Sequence, residues 1–220
     1  MNREPMTDRR AFVLGAGAAG VLLAGGEAAA QNPGGNALPN LFPGWTGRQF
    51  RAIRAHENAH VQFLVQALGA SARPKPNFQN LEQPNVRTFG TVAQSLENTG
   101  VGAYNGAAPV LFSRQYLSAA ASIALVEAQH SGYLNTLLNV VQTTDVFGNE
   151  QQFAQPLTVQ QVITLAGPFI KDLNGGPPLA YNATPSRTND ISILNFALAL
   201  EYLEAEFYNV NVPKFFPTPT

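Results

Sequence analysis

Two of the three histidines stand three residues after a glutamate, in the runs Glu57-Asn58-Ala59-His60 and Glu127-Ala128-Gln129-His130. On a helix, residues three apart share a face with Cβ atoms about 5–6 Å apart. Each pair can therefore bring a carboxylate oxygen and an imidazole nitrogen to one small volume. Either pair alone is weak, because with ten Glu in the chain a histidine has one at i−3 by chance about 5% of the time. A helix-surface hydrogen bond is then the simpler reading. Two such pairs, both inside apolar stripes, make chance a poor explanation.

The stripes come from the helices that must carry them. Residues 46–69 read as a helix whose inward face is Phe50, Ile53, Glu57, His60, Leu64 and Ala67/Leu68, with Gly69 as the stop. Residues 113–142 read as another, with Leu117, Ala120, Ile123/Ala124, Glu127, His130, Leu134, Leu137/Leu138 and Val141 on one side. Two further helices, near 87–105 and 191–209, place a carboxylate on a similar face. Ala93, Glu97, Gly100/Val101 and Tyr104 align in the first of these; Leu194, Ala197, Glu201, Glu204 and Tyr208 align in the second. Glu97 precedes Tyr104 by seven residues, as Glu201 precedes Tyr208. Both tyrosines read as core aromatics tied to a carboxylate. Glu204 reads as a ligand, an outer partner of the site, or a partner for Arg54. His56, about 100° round its helix from Glu57, reads as a surface histidine.

Four Glu and two His on inward faces need compensation. Burying one unpaired carboxylate is strongly unfavourable, and several together repel. Two divalent cations balance four carboxylates to neutrality. An oxygen and imidazole donor set without thiolate suits iron or manganese, with zinc or copper as alternatives. No residue is singled out as catalytic.

Composition limits the other readings. The 220 residues are 45% hydrophobic and only 12% charged, with a net charge of −1, so a basic nucleic-acid surface is excluded. The absence of cysteine excludes disulfides, thiolate zinc sites, iron–sulfur clusters and a Cys nucleophile. Pro- and Gly-rich stretches mark loops at 31–45, 71–84, 143–156 and 174–186, and a proline-broken tail at 211–220. Thr158 caps a short helix that ends before Pro168, and Asn189 or Asp190 caps the last long one. With no alternating strand pattern, these elements form an all-α four-helix bundle over 46–210 with one extra short helix.

Residues 1–30 read as an address. Arg3, Arg9 and Arg10 precede an apolar run at 11–26, and Ala28-Ala29-Ala30 offers a cleavage site. Arg9-Arg10-Ala11-Phe12-Val13-Leu14 follows the twin-arginine pattern, with Asp8 where Ser or Thr is usual. A plain Sec signal or an uncleaved anchor is the alternative. The run is too short and Gly-rich for a stable membrane span. The expected destination is periplasmic or extracellular.

A Glu from each of two helices with Glu-x-x-His from the other two resembles the ferritin-like di-iron/di-manganese carboxylate bundle. More narrowly, residues 193–208 (ILNFALALEYLEAEFY), 56–64 (HENAHVQFL), 97–109 (ENTGVGAYNGAAP), 124–134 (ALVEAQHSGYL) and 156–170 (PLTVQQVITLAGPFI) are similar to the ferritin-like domain of desiccation-related and stress-response proteins. That resemblance implies metal-ligand roles for Glu57, His60, Glu97, Glu127, His130 and Glu201. The Tyr seven residues after Glu201 favours it over Glu204 as ligand, leaving Glu204, Tyr104 and Tyr208 as supporting residues. It further implies two iron or manganese ions, a small oxidant (oxygen or peroxide), ferroxidase, oxidase or catalase-like chemistry, and a role in stress survival. A metal-free or metal-stapled structural bundle is the competing reading.

One feature departs from that family. Its ILNFALALEYLEAEFY-like helix comes first, whereas here it comes last. Circular permutation keeps all four helices in one bundle, with the third helix ending on the side where the last begins and about 48 residues between them. A swap of the C-terminal helix between copies, giving a homo-oligomer, or a truncated second domain are the alternatives.

Overall fold

The computed structural model describes residues 38–39 and 42–217, so the expected export signal and more than half of the leader loop lie outside the described residues. Four long helices carry the architecture: α1 (Trp45–Leu68), α2 (Val86–Ala107), α3 (Arg114–Leu137) and α5 (Arg187–Phe215), with the short α4 (Val159–Ala166) before the last. No helix among the described residues is long and apolar enough to cross a membrane.

Local chemistry fixes most helix ends. Asn85 and Ser113 cap α2 and α3 by accepting the backbone N–H of Thr88 and Tyr116. Thr158 and Gln161 form a reciprocal capping box on α4. Gly69 closes α1 at φ 52°, and its N–H reaches the Val65 carbonyl.

α1 packs against α5 and α2 against α3, while α2 also touches α4 and α5. Two apolar layers stack along the bundle. One contains Phe50 and Ile53 of α1, Phe89 and Leu96 of α2, Leu134 and Leu137 of α3, and Leu203 and Phe207 of α5. The other contains Leu64 and Leu68 of α1, Tyr104 and Ala107 of α2, Ala120 and Ile123 of α3, and Ile193 and Leu198 of α5. Glu57, Glu97, Glu127 and Glu201, one on each long helix, fall between the two. The order of the layers also gives direction: α1 and α2 run one way, α3 and α5 the other.

That parity corrects the sequence reading of the last connection. α3 and α5 are parallel, so the chain leaving α3 emerges at the end opposite to where α5 starts. Residues 138–186 must travel the bundle's length, about 36 Å for a helix of 24 residues. They do so along α2. Leu157 N–H bonds the Gly102 carbonyl at 2.9 Å, and Leu157 lies where Gly102 and Gly106 leave no side chain in its path. Further on, β2 (Ile170–Asp172) pairs antiparallel with β1 (Asn77–Phe78), tying the two long connections together. Strands of two and three residues are too short to show a period-two pattern in sequence.

Three helix boundaries also differ from expectation. The sequence predicts α3 to continue to residue 142, but it ends at Leu137 because Asn139 takes a φ of 62° and the fully buried Asn135 amide donates to the Gln142 and Thr144 carbonyls. Val141 is consequently 55% exposed rather than part of the stripe, and Leu117 is 37% exposed. Ser186, not Asn189 or Asp190, caps α5. Asp190 instead accepts the N–H groups of Phe112 and Ser113 at 2.8 and 2.9 Å, pinning the α2–α3 connection. At its other end α5 passes Pro213 and reaches Phe215. Packing overrides the proline there: Phe216 stacks on Phe50 at 5.0 Å and Phe215 on Phe89 at 5.7 Å.

The docked connection yields a prediction. Gly106→Ala places a methyl group against the Leu157 carbonyl oxygen, whereas the same change at Gly167 meets nothing within 4 Å. Urea unfolding should show Gly106→Ala destabilised by about 1–3 kcal/mol and Gly167→Ala unchanged or slightly stabilised.

Candidate metal centre

Between the apolar layers the four long helices converge on one polar point. Glu57, Glu97 and Glu127 are fully buried, and Glu201, Glu204, His130 and His60 are 1%, 3%, 5% and 9% exposed. The i,i+3 spacing of α1 and α3 turns each histidine onto the face of its own glutamate, as the sequence predicts.

Both histidines point Nδ1 inward. His60 Nδ1 is 3.1 Å from Glu57 Oε2, 3.1 Å from Glu127 Oε1 and 3.2 Å from Glu201 Oε2. His130 Nδ1 is 3.0 Å from Glu57 Oε1 and 3.1 Å from Glu97 Oε2. Two groups of four residues offer donor atoms within 4.8 Å of one another: Glu57, Glu97, Glu127, His130, and Glu57, His60, Glu127, Glu201. Glu57 and Glu127 belong to both.

The outer glutamates are held by a crossed pair of hydrogen bonds. Tyr104 of α2 donates to Glu201 Oε1 of α5 at 2.5 Å, and Tyr208 of α5 donates to Glu97 Oε1 of α2 at 2.6 Å. Each bond anchors one oxygen and leaves Oε2 facing a histidine.

This donor set fits cations better than protons. An Nδ1 carries at most one hydrogen, so it cannot serve three oxygens. Both oxygens of Glu127 are buried without a hydrogen-bond partner, and Glu57 Oε1 has only His130 Nδ1, 3.0 Å away and shared with Glu97, a costly condition for carboxylates. Spacings of 3.0–3.2 Å suit neighbouring ligands around one ion with bonds of about 2.0–2.2 Å. These buried Glu and His groups can therefore bind metal ions.

Electrostatics without a metal reflect the same crowding. Burial pushes the Glu57 carboxyl up, but the hydrogen bonds and charges of His130 and His60 bring it down to about 2. Burial lowers both imidazoles, yet the carboxylates prevail: Glu201 and Glu57 raise His60 to about 10, and Glu97 and Glu57 raise His130 to about 10. Burial, together with the Glu57 charge and against the hydrogen bonds from His60 and Tyr104, leaves Glu201 near 7. Burial and neighbouring carboxylates hold Glu127 and Glu204 well above the usual carboxylate range. The phenols of Tyr104 and Tyr208 are also raised, first by burial and then by Glu201 and Glu97 respectively.

The structure removes one alternative for Glu204 and gives His56 a partner that its sequence reading lacks. Glu204 does not pair with Arg54, whose Nε donates to Asn209 at 2.7 Å; its carboxylate turns inward instead. A Cβ on Gly100 would lie 2.9 Å from Glu127 Oε2 and 3.5 Å from Glu204 Oε1, so this glycine gives both carboxylates room. The signal was present in the sequence: Gly100 stands at i+3 from Glu97, where the other helices carry His60, His130 and Glu204. His56 is exposed, as expected, yet its Nδ1 lies 2.9 Å from His130 Nε2.

The ferritin-like domain family matches residues 21–140 and 189–217, which include all four long helices and omit the stretch holding α4 and β2. The chain belongs to that family, and its all-α bundle is a ferritin-like fold. Comparison with curated proteins and with solved structures gives no match.

Protonation and metal binding must compete here. Both imidazoles stay protonated as whole rings up to about pH 10, and each must give up a proton to offer an Nδ1 lone pair. Calorimetry in buffers of different ionisation heat should show at least two protons released per filled centre at pH 7. For the metal-free protein, His60 and His130 contribute stability fully below their ordinary value of 6.5 and lose it as pH rises towards 10. Raised Glu127, Glu201 and Glu204 add the same sign above 4.5, whereas lowered Glu57 costs stability only as pH falls from 4.5 towards 2. Its Tm should therefore fall steadily from about pH 5 to pH 10, with a widening gain from added metal.

Proposed function

We propose that the centre holds two divalent ions, iron or manganese, one among Glu57, Glu97, Glu127 and His130, the other among Glu57, His60, Glu127 and Glu201. The observation that carries this reading is the pair of inward Nδ1 atoms ringed by carboxylate oxygens, some with no other partner. In the metal-free arrangement His60 Nδ1 stands 3.1 Å from Glu127 Oε1 but is hydrogen-bonded to Glu57 and Glu201, and neither Glu127 oxygen makes a hydrogen bond, which disfavours a purely structural bundle.

When bound, such ions supply one-electron chemistry towards oxygen, peroxide or Fe(II). The chain does the positioning. Glu57 and Glu127 reach both groups. Tyr104 and Tyr208 keep their phenolic protons on Glu201 Oε1 and Glu97 Oε1, fixing which oxygen faces inward. The apolar layers above and below exclude water and keep the carboxylates in a low-dielectric site where their charge acts strongly.

The bundle reads as a circularly permuted member of its family. Glu201 meets His60 within one chain at 3.2 Å, which supports permutation over exchange of the last helix between copies. The twin-arginine run at Arg9-Arg10 and the similarity to desiccation-related proteins support an exported protein serving oxidative or desiccation stress.

Metal analysis of protein recovered from the exported fraction tests the central reading. About two metals per chain are expected, falling to near none in Glu57→Ala, with partial loss in His130→Ala and loss of peroxide or Fe(II) oxidation in both. Stoichiometric absence of metal from wild type overturns it. Replacing Arg9 and Arg10 by Lys should trap the precursor in the cytoplasm; unchanged export overturns the twin-arginine assignment.

A further inference from the structure

The two Glu-x-x-His helices differ at the position before the glutamate: Glu57 follows His56, whereas Glu127 follows Val126. The run His56-Glu57-Asn58-Ala59-His60 has the H-E-x-x-H spacing that elsewhere grips zinc between its own two histidines with the glutamate as base. That use is not adopted. Glu57 is buried among the carboxylates, and His56 turns to another helix, its Nδ1 2.9 Å from His130 Nε2 with the rings 6° from parallel. His60, the counterpart of His130, has no hydrogen-bond partner at Nε2 among the described residues.

We infer that His56 is a positioning residue for His130 and that it makes the two metal positions unequal, the one among Glu57, Glu97, Glu127 and His130 filling first and more tightly. The inference rests on the dinuclear reading above and deepens it. A metal on His130 Nδ1 requires the ring proton on Nε2. His56 Nδ1 is in place to accept that proton's hydrogen bond, which sets its own proton on Nε2, towards solvent. An acceptor at this point fixes the ring's tautomer and orientation and raises its basicity as a ligand. At the other position His60 must adopt the same tautomer unaided. Val126, where a matching imidazole would have to stand, offers no acceptor.

The test is an anaerobic Co(II) titration of the full metal-free chain, followed by visible absorption and calorimetry. Wild type should bind in two resolved steps. His56→Ala should weaken the first by about 10–100-fold and leave the second in place, so that the steps merge. His56→Gln, whose amide oxygen can accept the same hydrogen bond, should restore most of the difference. If His56→Ala fails to fold, His56→Phe takes its place in the series. Imidazole nitrogen–proton NMR spectra of zinc-loaded wild type give an independent readout: His130 and His56 should both carry their proton on Nε2. Unchanged steps in the folded variant, equal weakening of both steps, or a proton on His56 Nδ1 overturns the proposal while leaving the dinuclear reading intact. A wild-type chain that binds no Co(II) removes the reading beneath it instead.

Discussion

Five carboxylates share one layer of this bundle, closed above and below by apolar side chains. Neither their mutual repulsion nor their loss of water is tolerable without positive charge at the same point. Protons on two imidazoles supply part of it and metal ions can supply all of it. The surrounding structure serves that balance: phenol hydrogens on the outer carboxylates, ring nitrogens turned inward, and a glycine on α2 where a side chain would press on two acids. A helix that carried only its apolar stripe would pack without this layer; the layer dictates which faces the helices present.

The centre has an approximate two-fold character. α1 matches α3 through Glu57/His60 and Glu127/His130, and α2 matches α5 through Glu97/Tyr104 and Glu201/Tyr208. Each tyrosine grips the glutamate of the opposite helix, so α2 and α5 are joined by two buried bonds running in opposite senses. The correspondence breaks in two places. Glu204 faces Gly100, one carboxylate where symmetry would allow two, and Val126 takes the position on α3 that His56 takes on α1, one outer imidazole where symmetry would allow two. Both departures load extra polar function on one side, giving a nominally equivalent pair of positions separate surroundings.

Much of this was legible in the sequence because it follows from helical periodicity. The stripes through Phe50, Ile53, Glu57, His60 and Leu64, and through Ala120, Glu127, His130 and Leu134, place acids at the depth of a core, and the seven-residue Glu–Tyr echo marks the other pair. What escaped depended on contacts between distant segments. The choice between an inward Glu204 and one paired with Arg54 rests on the gap at Gly100 on another helix. The engagement of His56 needs α3 alongside. The end of α3 rests on Asn135 reaching forward to the next loop, and the passage of α5 beyond Pro213 rests on Phe215 and Phe216 finding Phe89 and Phe50. Periodicity counts residues along one strand of chain and is blind to such meetings. Helix direction escaped as well, since a stripe looks the same read from either end; the long path of residues 138–186 follows from that.

The place of α5 after the other three long helices has a consequence for assembly. Its main neighbour is α1, the first long helix among the described residues, so the pairing joins segments more than 115 residues apart, and His60 and Glu201 are 141 apart. Contacts of such separation form late, and during synthesis the earlier helices emerge first. Until α5 arrives, Glu57, Glu97 and Glu127 lack the helix that closes their layer, and water rather than a neighbouring helix can solvate their charges. The layer closes only once translation has delivered residue 201, so desolvation of the acids and the demand for cations arise together, after the first three long helices have been made.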